Sequence, residues 1–212
     1  MPNHITTNVE IKHEDASKIA ELVKATKLKL DGNAEENEFD FNGIIPMPEE
    51  LRDTESGSSE SWGLAAFDED AFLYMYSMPW FAEKYQGIRN KDELKARYES
   101  SDDEQDKKYL EVGKRAFECK QKYGYTSWYD WSNANWGTKW NAYQVRYIAG
   151  DEHKIVLEFQ TAWAYPEPVL DKLMEQGFEV NGFWEDEGGG DGEIGDNAWG
   201  VFDKQTVYEY LG

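Results

Sequence analysis

Cysteine is all but missing from this chain: Cys119 is the only one in 212 residues. That excludes an intrachain disulfide and any zinc site built from several thiolates. Histidine is scarce too. His4, His13 and His153 are scattered, without the i, i+4 spacing of a helical metal pair, and read as structural or surface residues. No serine has a G-x-S-x-G context, and no G-x-x-x-x-G-K loop ending in Ser or Thr is present to cradle a phosphate. The sequence nominates no catalytic residue, no metal ligand and no cofactor. Long apolar runs are lacking as well, since nothing approaches the roughly 20 residues needed to span a bilayer. The opening MPNHITTNVEIKHED has neither the basic nor the apolar region of a signal peptide. A soluble, cytoplasmic protein is expected.

Positive charge is the other shortage. Lys and Arg number 22 against 43 Asp and Glu, giving a formal charge of −21 at pH 7 and a pI near 4.4. Such a field repels nucleic acid and anionic membranes and attracts basic partners. No run of Lys or Arg offsets it locally, so neither direct nucleic-acid binding nor membrane binding is expected. The carboxylates crowd at residues 35–40, 49–60, 99–106 and 185–196.

Aromatic residues, by contrast, are abundant. They make up 15% of the chain, enough for a substantial core despite a mean hydropathy of −0.82. Four of the nine tryptophans, Trp128, Trp131, Trp136 and Trp140, fall inside YGYTSWYDWSNANWGTKWNAY, Tyr123 to Tyr143. Ser132, Asn133, Asn135, Gly137 and Thr138 interrupt them, which predicts an irregular or partly helical segment. Its buried N–H and O–H groups need partners.

Ile5, Thr7, Val9 and Ile11 alternate with polar residues, the period of a half-buried strand. Asp15 is placed to cap a helix with Ile19, Leu22 and Val23 on one face. Asp31-Gly32-Asn33 is turn chemistry, and Phe39, Phe41 and Ile44-Ile45 read as extended up to Pro46. From Trp62 to about Lys122 the pattern is an insertion of helices, with Pro79 breaking Ala71–Tyr85. Tyr109, Val112, Ala116, Cys119 and Tyr123 mark one buried stripe, so Cys119 reads as a buried, unactivated thiol. Two strands follow, 142–149 and 154–161, joined at Gly150-Asp151. A helix over Val169, Leu170, Leu173 and Met174 stops at Gly177. Phe178, Val180 and Trp184 alternate in another strand, and Trp199, Val201 and 207–211 are expected to close the sheet. Together these predict a single α+β domain over 1–212, a ferredoxin-like sheet with helices on one face and a mostly helical insertion at about 62–122.

WYDWSNANWGTKWNAY (Trp128–Tyr143), FQTAWAYPEPV (Phe159–Val169) and FDFNGIIPMPEEL (Phe39–Leu51) resemble the YubB ferredoxin-like family. The opening PNHITTNVEI and the terminal acidic stretch resemble it too. Members of that family are encoded by phages, prophages and conjugative plasmids. The resemblance implies a ferredoxin-like core with a helical insertion, and it supplies no catalytic residues to carry over. Residues 55–105 match least.

Two segments are candidate sites. The acidic stretch WEDEGGGDGEIGDN offers Glu185, Asp186, Glu187, Asp191, Glu193 and Asp196. Its order does not match the EF-hand pattern D-x-D/N-x-D/N-G, so a solvated hairpin tip or a partner-binding surface is the reading. Carboxylates spaced like phosphates can present a nucleic-acid-like surface to a basic, nucleic-acid-binding host protein. The second candidate is Trp128, Trp131, Asn133, Asn135, Trp136, Lys139 and Trp140, read either as core or as a stacking site for a nucleotide with Lys139 on its phosphate. The leading expectation is a non-enzymatic acidic binding protein from a mobile element, engaging a host factor as a counter-defence inhibitor or nucleic-acid mimic. The alternative is a nucleotide-binding protein or enzyme using the tryptophan segment.

Overall fold

The computed structural model describes residues 3–30 and 37–195. The expected turn at Asp31-Gly32-Asn33 and the closing strand beyond Trp199 lie outside them. The chain divides into two compact units, Met1–Pro46 with Ser132–Gly212, and Met47–Trp131. The first carries a sheet and the second is helical.

In the sheet unit, β1 (His4–Lys12), β2 (Tyr143–Asp151), β3 (Lys154–Ala162), β4 (Glu179–Asp186) and β5 (Asp191–Ile194) form one antiparallel sheet in the order β2-β3-β1-β4-β5. The period-2 pattern of β1 puts Ile5, Val9 and Ile11 on one face, all buried. Ile155, Leu157 and Phe159 of β3 and Val180 of β4 share that face through the register. Phe39 and Phe41 pack onto Phe159 at ring separations of 5.5 and 6.1 Å. Each such fully buried side chain contributes about 1.5–3 kcal/mol. Helix α1 (Ala16–Ala25) begins where the Ser17 N–H donates to Asp15 at 2.9 Å and buries Ile19 and Leu22.

Residues 39–45, predicted extended, instead hold a 3-10 turn at Phe41–Gly43. The cause is side-chain chemistry centred on Asp40. Asp40 accepts from the Asn42 backbone N–H at 3.0 Å and from the side-chain amides of Asn42 and Asn141 at 2.8 Å. Lys27 adds an ion pair at 2.8 Å. A Cβ on Gly43 would also fall 2.5 Å from the Ala25 carbonyl carbon, so the turn lies directly on the end of α1. The β2–β3 turn likewise sits at Glu152-His153, beyond the expected Gly150-Asp151, because Asp151 accepts from the His153 N–H at 2.8 Å.

The second face of the sheet is mixed. Val156 and Phe183 cluster with Ile148 and Ala149, while Asn8 and Glu10 are buried beside them. Glu10 is held by Lys12 at 2.5 Å and Lys154 at 3.6 Å, which compensates a buried carboxylate.

The helical unit contains α2 (Glu49–Arg52), α3 (Ser58–Leu64), α4 (Glu69–Tyr76), α5 (Pro79–Lys84), α6 (Lys91–Glu99), α7 (Glu104–Tyr123) and the first turn of α8 (Trp128–Asn135). Pro79 divides the run Ala71–Tyr85, as expected: α4 ends at Tyr76 and Pro79 starts α5, its missing N–H falling where none is needed. Asp68, Asn90 and Asp103 cap α4, α6 and α7. The core is aromatic: Phe72, Phe81, Tyr85, Tyr98 and Tyr109, with Trp62 packed on it. Glu60 is buried within this unit. Burial pushes its carboxyl pKa up, against hydrogen bonds from Thr126, Ser127 and the Gly57 N–H.

Candidate functional site

β4 turns through residues 187–190 into β5, and the acidic candidates lie on this hairpin. Asp186 closes the turn. Its Oδ1 accepts from the Gly188 N–H at 2.6 Å and its carbonyl from the Gly189 N–H at 2.9 Å, with Gly189 at φ +92. Glu187 is tied to β1, accepting from the His4 N–H at 3.4 Å and donating its own N–H to the His4 carbonyl at 3.3 Å.

Trp184 sets the hairpin's register. Its ring stacks on Tyr165 at 5.3 Å and 9°, and a Cβ on Gly192 opposite would come within 2.6 Å of the indole Nε1. With Trp184 and Gly192 paired on one face, Glu185 and Asp191 are directly opposed on the other, and Glu193 faces Phe183. Like charges in opposed positions destabilise a strand pair. On β3, Glu158 is paired with Arg146 at 3.0 Å, and on β1 Glu10 with Lys12 and Lys154. Among the described residues, no Lys or Arg pairs with Asp191 or Glu193. β5 ends the described sheet, so these carboxylates stand at its margin. Asp196 lies outside the described residues.

The tryptophan segment is distributed over both units. Trp128 and Trp131 belong to the helical unit, where the Trp128 backbone N–H donates to Thr54 Oγ1 at 2.8 Å and Trp131 is buried. In the sheet unit, Trp136 is buried against Phe41, ring centroids 5.8 Å apart, and its Nε1–H donates to the Ile45 carbonyl at 2.9 Å. Asn133 is exposed and Asn135 half-buried. Lys139 Nζ sits 4.7 Å from the ring of Trp140, which is exposed. Of the nominated ligand residues, Lys139 and Trp140 are thus brought together at the surface, while Trp131 and Trp136 are in the interior.

Sequence reasoning overlooked an open cavity of about 600 Å³ at one end of the sheet. It unites His13 and His153 with Lys12, Lys154, Asp151 and Glu179. The His13 N–H donates to the His153 carbonyl at 3.0 Å, and His153 Nδ1 lies 3.2 Å from the His13 carbonyl. The available signal was strand pairing: Lys12 and Lys154 are register partners, so residues just beyond them converge. Its two lysines are drawn to Glu10, and His153 Nε2 lies 3.7 Å from Glu152 Oε1, leaving a site of mixed charge. The described residues do not group three His, Cys, Asp or Glu side chains that could hold a metal ion. No helix among them is long and apolar enough to cross a membrane.

No protein-family model matches the chain, and neither a curated protein nor a solved structure matches it.

Proposed function

We propose that this protein is a non-enzymatic, mobile-element-encoded binding protein that engages a basic, nucleic-acid-binding host protein through the acidic β4–β5 hairpin. The observation that carries the reading is the pair Asp191 and Glu193, held on one face of the marginal strand β5 by the Trp184–Gly192 register, with no Lys or Arg pairing with either among the described residues. Carboxylates gathered on one face at the margin of a sheet offer a ready contact for cationic side chains. A cationic partner is steered toward them by the net charge of −21. The sheet is proposed to be ferredoxin-like: strands β1 to β4 in the order β2-β3-β1-β4, with α1 after β1 and α9 (Glu167–Glu175) between β3 and β4, suit a split βαβ arrangement. The motif resemblance to the YubB family supports the mobile-element origin and a place in the bacterial cytoplasm.

The test is affinity capture from bacterial lysate with mass spectrometry, using wild type and a Glu185→Gln/Asp191→Asn/Glu193→Gln variant. Asp186 is left intact because it closes the turn. A basic nucleic-acid-binding protein held at low salt, released at high salt and missed by the variant is the expected result. Equal capture by the variant would remove the hairpin as the contact.

A second reading is a nucleotide site at the exposed Trp140, favoured by the Lys139 ammonium 4.7 Å from its ring. Native mass spectrometry showing a copurified nucleotide that Trp140→Ala and Lys139→Ala lose would support it.

A further inference from the structure

We infer that the helical unit carries a docking surface of its own, where the exposed segment Leu73–Trp80 takes an arginine-rich segment of a protein partner. This rests on the partner being basic, as proposed above, and not on the hairpin being its contact. Eight large hydrophobic side chains are exposed among the described residues, and three of them fall in this one stretch: Leu73 at 58%, Tyr74 at 64% and Trp80 at 51%. The inward positions of α4 and α5 are already filled by Phe72, Met75 and Phe81, all buried. The outward three are surplus to the core.

Trp80 is exposed yet held. Its ring stacks on Trp62 at 5.2 Å, and Trp62 stacks in turn on Tyr109 at 5.3 Å. Lys84 occupies the same stack, its Nζ 4.5 Å from the Trp62 ring, so this unit already uses cation–π contact. An aromatic ring fixed before binding loses little side-chain freedom on contact.

The charge around the segment names the occupant. Between Asp53 and Glu83 the chain has seven carboxylates and no Lys, Arg or His. Asp68 and Glu55 are spoken for by Lys120 and Lys108. Glu69 and Asp70 at the start of α4 and Glu83 in α5 have no ion pair among the described residues. Aromatic planes bordered by carboxylates suit a guanidinium, which stacks flat while its N–H fork reaches an acid. An ammonium satisfies only part of that geometry. A second copy of a chain carrying −21 is repelled.

The experiment is calorimetric titration of the full chain with a synthetic peptide of alternating Arg and Leu, beside its Lys counterpart, at physiological salt. The arginine peptide is expected to bind more tightly than the lysine one. Tyr74→Ala and Trp80→Ala are each expected to weaken it by roughly five- to thirtyfold, while Asp191→Asn/Glu193→Gln leaves it nearly unchanged. Should Trp80→Ala disturb folding, Tyr74→Ala and Leu73→Ala carry the test, since both side chains are outside the core. Undiminished affinity in these variants overturns the inference. So does loss confined to the hairpin variant, although that outcome leaves the hairpin reading standing. Sedimentation showing a wild-type dimer that Tyr74→Ala converts to monomer would assign the surface to a second copy instead.

Discussion

Gly63 and Gly113 meet backbone to backbone. A Cβ built on Gly63 would lie 2.6 Å from the Gly113 nitrogen and 2.8 Å from its Cα, so α3 and α7 cross where neither has a side chain. Both glycines are buried; Gly63 is next to last in α3, and Gly113 lies mid-helix in α7, where glycine is itself unfavourable by roughly 1 kcal/mol relative to alanine. Close approach is what makes them worth that cost. Gly113→Ala should therefore destabilise by about 3 kcal/mol or more despite its better helix propensity, read as a lower urea midpoint. A neutral or stabilising effect would show that the crossing can open.

Asp40 supplies acid sensitivity. Burial acts to raise its pKa, but hydrogen bonds from Lys27, Asn42 and Asn141 outweigh it and hold the carboxyl at about 2, below the ordinary 3.8. A lowered acid pKa stabilises the fold above the unfolded value and is lost as pH falls through the folded one. The linkage is worth about 2 kcal/mol. Asp40→Asn should thus be less stable than wild type at pH 7, with the gap closing between roughly pH 4 and 2. A gap that stays constant across that window would assign the loss to packing alone.

Trp136 is a core residue with a polar obligation. Trp136→Ala should cost about 3–5 kcal/mol through lost packing on Phe41. Trp136→Phe keeps most of the ring but removes the donor to the Ile45 carbonyl, at about 1–3 kcal/mol. Thermal unfolding of the pair separates the two contributions. Equal losses would mean the hydrogen bond contributes most of what the indole does.

Cys119 should be slow to react. Burial pushes its thiol pKa up, and the Sγ–H faces the Glu50 carbonyl at 3.7 Å. Its modification by a thiol reagent at pH 8 should be at least about tenfold slower than that of a free thiol, and should reach the free rate on unfolding in urea. Rapid labelling of the native protein would mark it as an accessible thiolate.

Where hydrophobic period and capping agree, the sequence is readable. β1, α1, α7, β3 and β4 follow from alternation, from Asp15 and from the stripe through Tyr109 and Cys119. Legibility fails where a distant partner decides. Phe39–Ile45 is as apolar as a strand, yet Asn141, a hundred residues on, helps Asp40 bend it into a 3-10 turn. Gly63 and Gly113 look like two weak helix positions until α3 and α7 are brought together. His13 and His153 look scattered until β1 and β3 pair. The acidic hairpin was visible as composition, but the opposition of Glu185 and Asp191 was not, because it depends on the register that Trp184 imposes on Gly192.

That opposition has a measurable stability signature. If Glu185 and Asp191 repel across the strand pair, Asp191→Asn should stabilise the protein by about 0.2–1 kcal/mol at low salt. The gain should shrink as salt screens the pair, since both side chains are at the margin of the sheet. It should also vanish in a Glu185→Gln background, where no repulsion is left to relieve, and a double-mutant cycle reads that coupling directly. The same Asp191→Asn change should weaken capture of a basic partner. Stability and binding would then move in opposite directions at one residue, as expected of a carboxylate kept for its partner. A variant that is no more stable than wild type at low salt would show that the folded chain already relieves the pair, and the hairpin's charge would then need no partner to account for it.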